Sequence, residues 1–381
     1  MKKRKVCVAV LSRANYGRSK TILQQIQVRP ELELQVIVGA SANVERFGNV
    51  AKIIKADGFP ISESLHFSVE GNTTSAMVQT CGLGIIQIGA ALERLKPDVV
   101  VTIADRYETM ATSIAASYQN ICLAHVQGGE ITGSIDESVR HAITKLAHIH
   151  FPSTEKSREN IIRLGEDPRY VFNVGCPSID NLKELDWNRH LPSPLPGVGA
   201  DIDLAKPYLL VVQHPVTSDY EKASAYVDQT ISAVMEIGTQ AIWLWPNIDA
   251  GADSISKQLR RLREKWPDVP IRFIKNLPVD DYNQLLCNAA CTLGNSSSFI
   301  REGSYLGTPG VIVGNRQNMR EHGQNVLFVS PSHNEIILAI RKQLGNHYLG
   351  STLFGQGLAG ARIAEILTQK LPATQKVLCY E

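Results

Sequence analysis

The chain has 381 residues, of which 44% are hydrophobic and 20% are charged, and this length and composition favour a globular protein of two domains. Its formal net charge of +2 argues against a dedicated nucleic-acid binder, because such proteins carry a basic surplus. No stretch approaches the roughly 20 apolar residues of a membrane span, so we also predict that the protein does not enter a membrane.

The seven cysteines are scattered without Cys-x-x-Cys spacing, and His and Cys residues do not cluster at the spacing of metal ligands. We interpret the cysteines as reduced thiols of a cytoplasmic protein without a metal site. The apolar run behind the basic start of the chain, Val6–Leu11, is too short for the core of a signal peptide.

The first half of the chain alternates short apolar runs with longer amphipathic segments. Uninterrupted Val, Ile and Leu runs separated by helices are typical of a parallel sheet that is covered on both faces. In chain order the predicted elements are the strand Val6–Leu11, the helix Ser19–Val28, the strand Leu34–Val38, the helix Ser75–Leu95, the strand Val99–Ile103, the helix Thr109–Tyr118 and the strand Ile121–His125.

The second half repeats this alternation. Its predicted elements are the strand Tyr208–Val212, the helix Ser224–Ile237, the strand Ala241–Leu244, the helix Ser254–Lys265, the strand Ile271–Phe273, the helix Asp280–Asn288 and the strands Cys291–Leu293 and Gly310–Val313. The pattern therefore predicts an α/β fold of two Rossmann-like doubly wound domains that face a cleft.

A run rich in Pro and Gly, residues 191–199, lies between the two halves and has the composition of a linker. We predict a first domain over residues 1–180, a linker over 181–204 and a second, nucleotide-binding domain over 205–355. A C-terminal helix within residues 356–381 is expected to pack back on the first domain. Ligands of such sheets bind beyond the carboxyl ends of the strands, so the loops there are the candidate site.

The most informative of these loops is the turn Gly294–Ser298, which joins an apolar strand to a helical pattern. Free backbone N–H groups and hydroxyls in such a turn bind anions, most often phosphate. Glu302 follows about one helical turn later, where its carboxylate could accept hydrogen bonds from a ribose. Ser296, Ser297 and Glu302 thus predict a nucleotide diphosphate site; the alternative is that the serines only cap the helix.

Two loops of the first half carry charged residues at strand ends. Arg13 and Arg18 follow the first strand and are interpreted either as phosphate ligands or as part of a solvated basic turn. Asp105 follows the strand Val99–Ile103 and precedes a helix, so it is either a helix N-cap or a catalytic group.

The segment from Gln127 to His141 holds the densest polar cluster, with Glu130, Asp136 and Glu137 as its carboxylates. Neighbouring carboxylates shift each other's pKa values, which suits proton transfer. The alternative is that Asp136 and Glu137 only begin the next helix, where its dipole favours acidic residues.

In the second half, His214 and Asn247 each follow a strand. A single histidine is usually structural, but His214 lies where the cleft is expected.

Taken together these phrases resemble the hydrolysing UDP-N-acetylglucosamine 2-epimerases, which share the glycosyltransferase-B fold and serve sialic acid and related nonulosonic acid pathways. The resemblance runs from Ser12 to about Asn325. Eight phrases occur in the family's order: residues 13–17, Asp105-Arg106, residues 128–130, 135–146, 213–217, 246–251 and 294–297, and Arg316-Gln317.

The resemblance implies that UDP is eliminated from UDP-N-acetylglucosamine to give a glycal with a double bond between carbons 1 and 2. Water then adds with the opposite configuration at carbon 2, which gives free N-acetylmannosamine and UDP. The family uses no metal or redox cofactor and tends towards homodimers and homotetramers. We therefore predict a UDP-sugar ligand, no cofactor, and a homodimer or homotetramer.

The resemblance also implies roles for individual residues. Asp105 and Asp136 match positions used for acid–base work, and we add Glu130 and His214 as catalytic candidates. Predicted ligand-binding residues are Arg13 for the diphosphate, Ser296 and Ser297 for phosphate, Glu302 for the ribose, Asn247 and Arg316 for the nucleotide, and Arg106, Gln127 and Glu137 for the substrate.

One departure concerns Gln127, where sialic-acid members usually have an acidic residue; Glu137 also stands where those members have Asp. A glutamine cannot exchange protons, so either Glu130 or Asp136 takes over that role or the substrate differs. A related branch acts on UDP-2,4-diacetamido-2,4,6-trideoxyglucose in the legionaminic acid route. A non-hydrolysing 2-epimerase, a glycosyltransferase and a nucleotide-sugar binder without turnover remain the alternatives.

Overall fold

The computed structural model describes residues 2–45, 48–71 and 73–379, in which two mainly parallel β-sheets form the framework. The first sheet has the order β3-β2-β1-β4-β5-β6, and all its neighbours are parallel. Its strands are β1 (Arg4–Val10), β2 (Leu32–Val38), β3 (Glu63–Ser64), β4 (Val99–Ile103), β5 (Cys122–Val126) and β6 (Ile149–Phe151).

The second sheet has the order β13-β12-β11-β8-β9-β10-β7, and only β7 runs antiparallel to its neighbour. Its strands are β7 (Val198–Gly199), β8 (Leu209–Val212), β9 (Ala241–Leu244), β10 (Ile271–Ile274), β11 (Cys291–Gly294), β12 (Gly310–Val313) and β13 (Val326–Val329). Counted from β8, the six parallel strands repeat the order of the first sheet.

Helices cover both faces of each sheet, because alternate residues of one strand enter different cores. Val6 and Val8 of β1 belong to one apolar cluster and Cys7 to another, and Leu209 and Leu210 of β8 divide in the same way. The predicted α/β fold of two doubly wound domains is confirmed. The helices are α1 (Arg13–Val28), α2 (Val50–Ala56), α3 (Thr74–Leu95), α4 (Tyr107–Tyr118), α5 (Ile135–Leu146), α6 (Glu155–Arg163), α7 (Pro177–Glu184), α8 (Ala223–Ile237), α9 (Ala252–Lys265), α10 (Val279–Asn288), α11 (Arg301–Leu306), α12 (His333–Gln343) and α13 (Ala359–Ile366).

The strand order places the candidate site. In each sheet the order in which the strands are added reverses between two adjacent parallel strands, β1 and β4 in the first sheet and β8 and β11 in the second. Crevices open at such switch points, beyond the carboxyl ends of the strands. The segments after these four strands are among those that the sequence analysis singled out.

The structure corrects the start of the first helix. α1 begins at Arg13 rather than Ser19, because the Ser12 hydroxyl accepts a hydrogen bond of 3.2 Å from the Asn15 N–H and caps the helix. Arg13 and Arg18 therefore project from a helix and are not part of a basic loop.

The predicted linker is partly ordered structure. It begins inside α7 and contains β7, which pairs with β10 at the edge of the second sheet. Leu195 within it is buried in the core of the second domain, and the Arg272 guanidinium donates to its carbonyl.

The C-terminal helix α13 packs against α1 in the first domain, and its Ile363 and Ala364 enter the same core as Ile22. The Asp180 carboxylate accepts hydrogen bonds from the backbone N–H groups of Ala359, at 3.0 Å, and Gly360, at 2.7 Å. The end of the chain thus returns to the first domain.

Among the described residues, one helix, α3, is long and apolar enough to cross a membrane by length and composition alone. A core helix of a globular protein passes the same test. α3 packs against α4, and its Ile88, Ala91 and Leu92 belong to the core of the first domain.

Candidate active site

A cleft between the carboxyl ends of the two sheets brings most of the predicted site residues together. Its open volume is about 1210 Å³. The predicted residues that line it are Arg13, Asp105, Arg106, Asp136, His214, Asn247, Ser296, Ser297, Glu302 and Arg316. Three predicted residues, Gln127, Glu130 and Glu137, are not among the lining residues.

The turn Gly294–Ser298, which we call the serine turn, both caps a short helix and faces the cleft. The Ser296 hydroxyl accepts from the Ser298 N–H and lies 2.8 Å from the Ser298 hydroxyl, so the capping alternative holds for this residue. Ser297 accepts a hydrogen bond of 3.0 Å from the Arg18 guanidinium of the first domain. The turn therefore offers hydroxyls and a cation at one point, which suits an anionic ligand.

His214 is held as a neutral hydrogen-bond donor. Its Nδ1 atom accepts a hydrogen bond of 3.1 Å from the Asn247 N–H, which places the ring proton on Nε2. Burial, followed by the nearby guanidinium groups of Arg316 and Arg13, lowers the pKa of His214 well below its usual value. The ring can thus donate one hydrogen bond into the cleft, but it holds no second proton near neutral pH.

Asp105 is not a helix cap. The N-cap of α4 is Arg106, without a side-chain capping bond, whereas the Asp105 carboxylate accepts a hydrogen bond from the Arg140 guanidinium. Burial disfavours the ionised form, yet Arg140 and two further guanidinium groups, those of Arg320 and Arg18, hold the pKa of Asp105 well below its usual range. Asp105 therefore remains ionised.

The pKa of Asp136 is shifted in the opposite direction, upwards. Burial and then the neighbouring Asp105 carboxylate raise its pKa, while Arg316, at 3.7 Å, opposes the rise. Two carboxylates whose environments push their pKa values apart are typical of a pair with different roles in acid–base chemistry. Asp136 is the member that can exchange a proton closer to neutral pH.

Several contacts across the cleft join the two domains. The Arg106 guanidinium lies 2.8 Å from the Asp249 carboxylate of the second domain and also binds Glu108 beside it. The Arg13 guanidinium donates to the Lys275 carbonyl at 2.8 Å. Groups at the mouth of the cleft are therefore held by the opposite domain.

Gln127 and Glu137 lie outside the wall of the cleft. Gln127 is completely buried, and its amide donates to the Cys176 sulfur at 2.9 Å. The Glu137 carboxylate accepts a hydrogen bond of 2.6 Å from the Thr132 N–H and so fixes the loop before α5. The structure gives both residues a supporting position and does not bring them into contact with the cleft.

Glu130 lies behind the cleft. It is buried, and its carboxylate contacts the guanidinium groups of Arg301, at 2.6 Å, and Arg320, at 2.8 Å, both from the second domain. Its backbone carbonyl accepts a hydrogen bond of 2.6 Å from Arg140.

Four arginines line the cleft, and we call them the arginine cluster: Arg18, Arg140, Arg301 and Arg320. The sequence analysis weighed Arg18 as a phosphate ligand but missed the other three as site residues. The guanidinium groups of the cluster face the carboxylates of Asp105 and Glu130. Arg18, Arg140 and Arg301 belong to phrases that the analysis singled out, and their positive charge was the available signal. Arg320 follows no pattern, and only the packing of the two domains reveals it.

Comparison with known proteins identifies relatives over almost the whole chain. A family profile described as UDP-N-acetylglucosamine 2-epimerase matches residues 24–368. The chain is 32% identical over 378 residues, 98% of each chain, to the UDP-N,N'-diacetylbacillosamine 2-epimerase (hydrolyzing) of Legionella pneumophila. It is 29% identical over 350 residues to the UDP-N-acetylglucosamine 2-epimerase of Neisseria meningitidis serogroup B, which covers 89% of this chain and 87% of that protein.

A solved structure shows the same fold. The UDP-GlcNAc 2-epimerase of Methanocaldococcus jannaschii, in complex with UDP-GlcNAc and UDP, superimposes with a TM-score of 0.77 at 19% identity and covers 96% of this chain and 99% of that one. This likeness confirms the predicted glycosyltransferase-B type of architecture.

Proposed function

The chain belongs to the UDP-N-acetylglucosamine 2-epimerase family, and from this premise we propose that it is a hydrolysing 2-epimerase of a UDP-N-acetylglucosamine-type sugar. Its products would be UDP and the free sugar with inverted configuration at carbon 2. The observation that carries the proposal is the combination, in one cleft, of two carboxylates with opposite pKa shifts and a cluster of arginines.

The diphosphate belongs beside the arginine cluster and the serine turn. The cluster has four cations, against the two carboxylates of Asp105 and Glu130, and this surplus of positive charge suits a diphosphate dianion. Ser297 and the Nε2–H of His214 add uncharged donors. Preorganised donors of this kind stabilise the negative charge that develops on a leaving group.

The carboxylates of Asp136 and Asp105 have different roles in the reaction of the sugar. In its ionised form Asp136 removes the proton from carbon 2 while the bond between carbon 1 and the UDP oxygen breaks, which leaves a glycal. Asp105 stays ionised and stabilises the positive charge that develops at carbon 1. Water then adds across the double bond: its oxygen bonds to carbon 1 and gives up a proton to solvent, and carbon 2 takes a solvent-derived proton on the face opposite to the one that lost its proton.

A second candidate substrate is UDP-2,4-diacetamido-2,4,6-trideoxyglucose. This sugar is UDP-N,N'-diacetylbacillosamine, which the name of the Legionella pneumophila relative gives as its substrate. The sequence argument for it, a Gln127 amide that contacts a second N-acetyl group, loses its geometric basis because Gln127 is buried away from the cleft. The preference for this sugar therefore depends on the relative alone.

Product analysis tests the proposal. The protein is incubated with each UDP-sugar in D₂O and, separately, in water enriched in ¹⁸O. We expect free sugar with deuterium at carbon 2 and UDP without ¹⁸O, because the bond at carbon 1 breaks. An epimerised UDP-sugar would indicate a non-hydrolysing enzyme, turnover only with an added acceptor would indicate a glycosyltransferase, and no turnover of any sugar would indicate a binder.

Removing Glu302 is expected to weaken UDP binding. Its carboxylate lines the cleft, and its Oε2 atom is buried without a hydrogen-bond partner among the described residues. A hydrogen bond to a charged group contributes about 1.5–3 kcal/mol, so Glu302→Ala should raise the Kd of UDP about ten- to a hundredfold in calorimetry. Glu335→Ala, which also removes a first-turn acid of a helix in the second domain, is the control and should bind UDP normally. Equal Kd values for Glu302→Ala and the wild type would remove the ribose assignment.

The predicted homo-oligomer has a candidate surface on α3. Val78 and Ile86 are 71% and 70% exposed, and no charged residue precedes Glu93 on this helix. We propose that a second copy of the chain covers this face, because an isologous contact buries the same apolar patch on both partners.

Light scattering tests this surface. The double substitution Val78→Glu and Ile86→Glu places like charges against each other and should convert the oligomer into a smaller species. Leu338→Glu, at a 66% exposed site on α12, is the control and should keep the wild-type mass. A double variant with unchanged mass would place the interface elsewhere.

A further inference from the structure

Glu130 holds three of the four members of the arginine cluster. Its Oε2 atom lies 2.6 Å from the Arg301 guanidinium and 2.8 Å from that of Arg320, and its backbone carbonyl accepts the hydrogen bond from Arg140. All three arginines line the cleft, whereas Glu130 does not. Substrate would therefore meet the arginines and not the carboxylate behind them.

The surroundings of Glu130 keep it ionised. Burial opposes ionisation, but Arg301, Arg320 and Arg140 lower the pKa of Glu130 to about 2. Conversely, burial lowers the pKa of Arg320, and Glu130 is the largest influence in the opposite direction. A proton on Glu130 would leave buried guanidinium groups without their anion, which is costly.

Glu130 also links the two domains at the base of the cleft. It belongs to the segment between β5 and α5 in the first domain, while Arg301 begins α11 and Arg320 follows β12 in the second. The ion pairs fix guanidinium groups of the second domain relative to Asp105 and Asp136 of the first.

We propose that Glu130 is a positioning residue: it orients Arg301 and Arg320 towards the diphosphate of the ligand and takes no part in proton transfer. This inference builds on the proposed function in that a diphosphate occupies the cleft. It replaces the catalytic role predicted for Glu130 from the sequence.

The direction in which Glu130→Gln changes anion affinity distinguishes a positioning role from a simple effect of its charge. Glu130→Gln removes a negative charge near an anion site, and by Coulomb's law alone that removal would strengthen anion binding. If Glu130 orients the arginines, the neutral amide holds the two mutually repelling guanidinium groups much more weakly than the carboxylate does. Anion binding then weakens in spite of the lost negative charge. Calorimetry with inorganic diphosphate and with UDP measures the direction of this change directly.

We expect Glu130→Gln to bind both probes about tenfold more weakly than the wild type, and Glu130→Asp, which keeps the charge, to recover part of the loss. Glu321→Gln is the matched control. The Glu321 carboxylate also crosses between the domains, to the Thr154 hydroxyl at 2.5 Å, but Glu321 does not line the cleft. This variant should bind both probes like the wild type.

Turnover provides a second, independent readout. Misplaced arginines should lower kcat of Glu130→Gln about a hundredfold, the scale expected for misplaced groups. The acidic limb of the pH profile should stay where it is in the wild type, because it reports Asp136. Since Glu130 acts through its partners, its effect should be smaller when one partner is already absent. Glu130→Gln should therefore lower kcat by a much smaller factor in the Arg320→Met variant than in the wild type.

The proposal is overturned if folded Glu130→Gln binds diphosphate as tightly as the wild type or more tightly. It is also overturned if the acidic limb of the pH profile of kcat is lost in this variant, or if the kcat losses of Glu130→Gln and Arg320→Met are fully additive. Thermal melting checks folding, and the double variant, which removes both charges, should melt higher than Glu130→Gln alone. If the wild type binds diphosphate but converts no UDP-sugar, the proposed reaction fails, while the binding series still decides the role of Glu130. If the wild type binds no diphosphate, both fail.

Discussion

Asp136→Asn is expected to lower kcat by about 10²–10⁴-fold, the usual contribution of a group that transfers a proton. An amide cannot remove the proton from carbon 2. Since burial and Asp105 raise the pKa of Asp136, the base becomes inactive at a higher pH than an ordinary aspartate would. Wild-type kcat should therefore fall as the pH drops through this raised pKa, and the variant's residual rate should lack that acidic limb.

The control for Asp136→Asn is Glu155→Gln. Both changes remove an acidic residue from the first turn of a helix in the first domain, but Glu155 lies outside the cleft. Glu155→Gln should keep both kcat and the acidic limb. If Asp136→Asn keeps an acidic limb at the wild-type position, another group is the base.

Asp105→Asn is expected to lower kcat by about 10²–10³-fold, the cost of losing one preorganised group that stabilises transition-state charge. The variant should also melt at a lower temperature, because the buried Arg140 guanidinium loses its anion. The sequence alone would suggest unchanged melting, since Asn caps helices about as well as Asp, but Asp105 makes no cap.

Asp180→Asn separates the two effects of Asp105→Asn. Asp180 is also buried, and it binds the start of α13 without lining the cleft. Asp180→Asn should lower the melting temperature, while kcat, measured well below that temperature, should stay near the wild-type value. Near-normal kcat for Asp105→Asn under the same conditions would make Asp105 a structural residue.

Local pattern was sufficient to predict the framework. Apolar runs such as Val99–Ile103 and Gly310–Val313 mark strands at the positions that the structure gives them, because a fully buried parallel strand needs uninterrupted apolar residues. The end of each strand then predicts where ligands bind, so Asp105, His214 and Ser296 were found from position and chemistry together. Pattern failed at the start of α1, where the polar residues before Ser19 resemble a loop until the Ser12 cap is seen.

The sequence by itself determined the two repeated α/β halves and the strand-end residues, because periodicity and strand ends depend on residues that are neighbours in the chain. Tertiary structure decided which of those residues share a surface. Glu130 and Arg301 are 171 positions apart and meet only because the two domains pack together. Packing within the first domain places Gln127 behind the cleft, and packing within the second fixes the proton of His214 on Nε2. Charged groups of both domains give Asp105 and Asp136 opposite pKa shifts. Burial and charge at a point in space result from distant segments, so no local pattern encodes them.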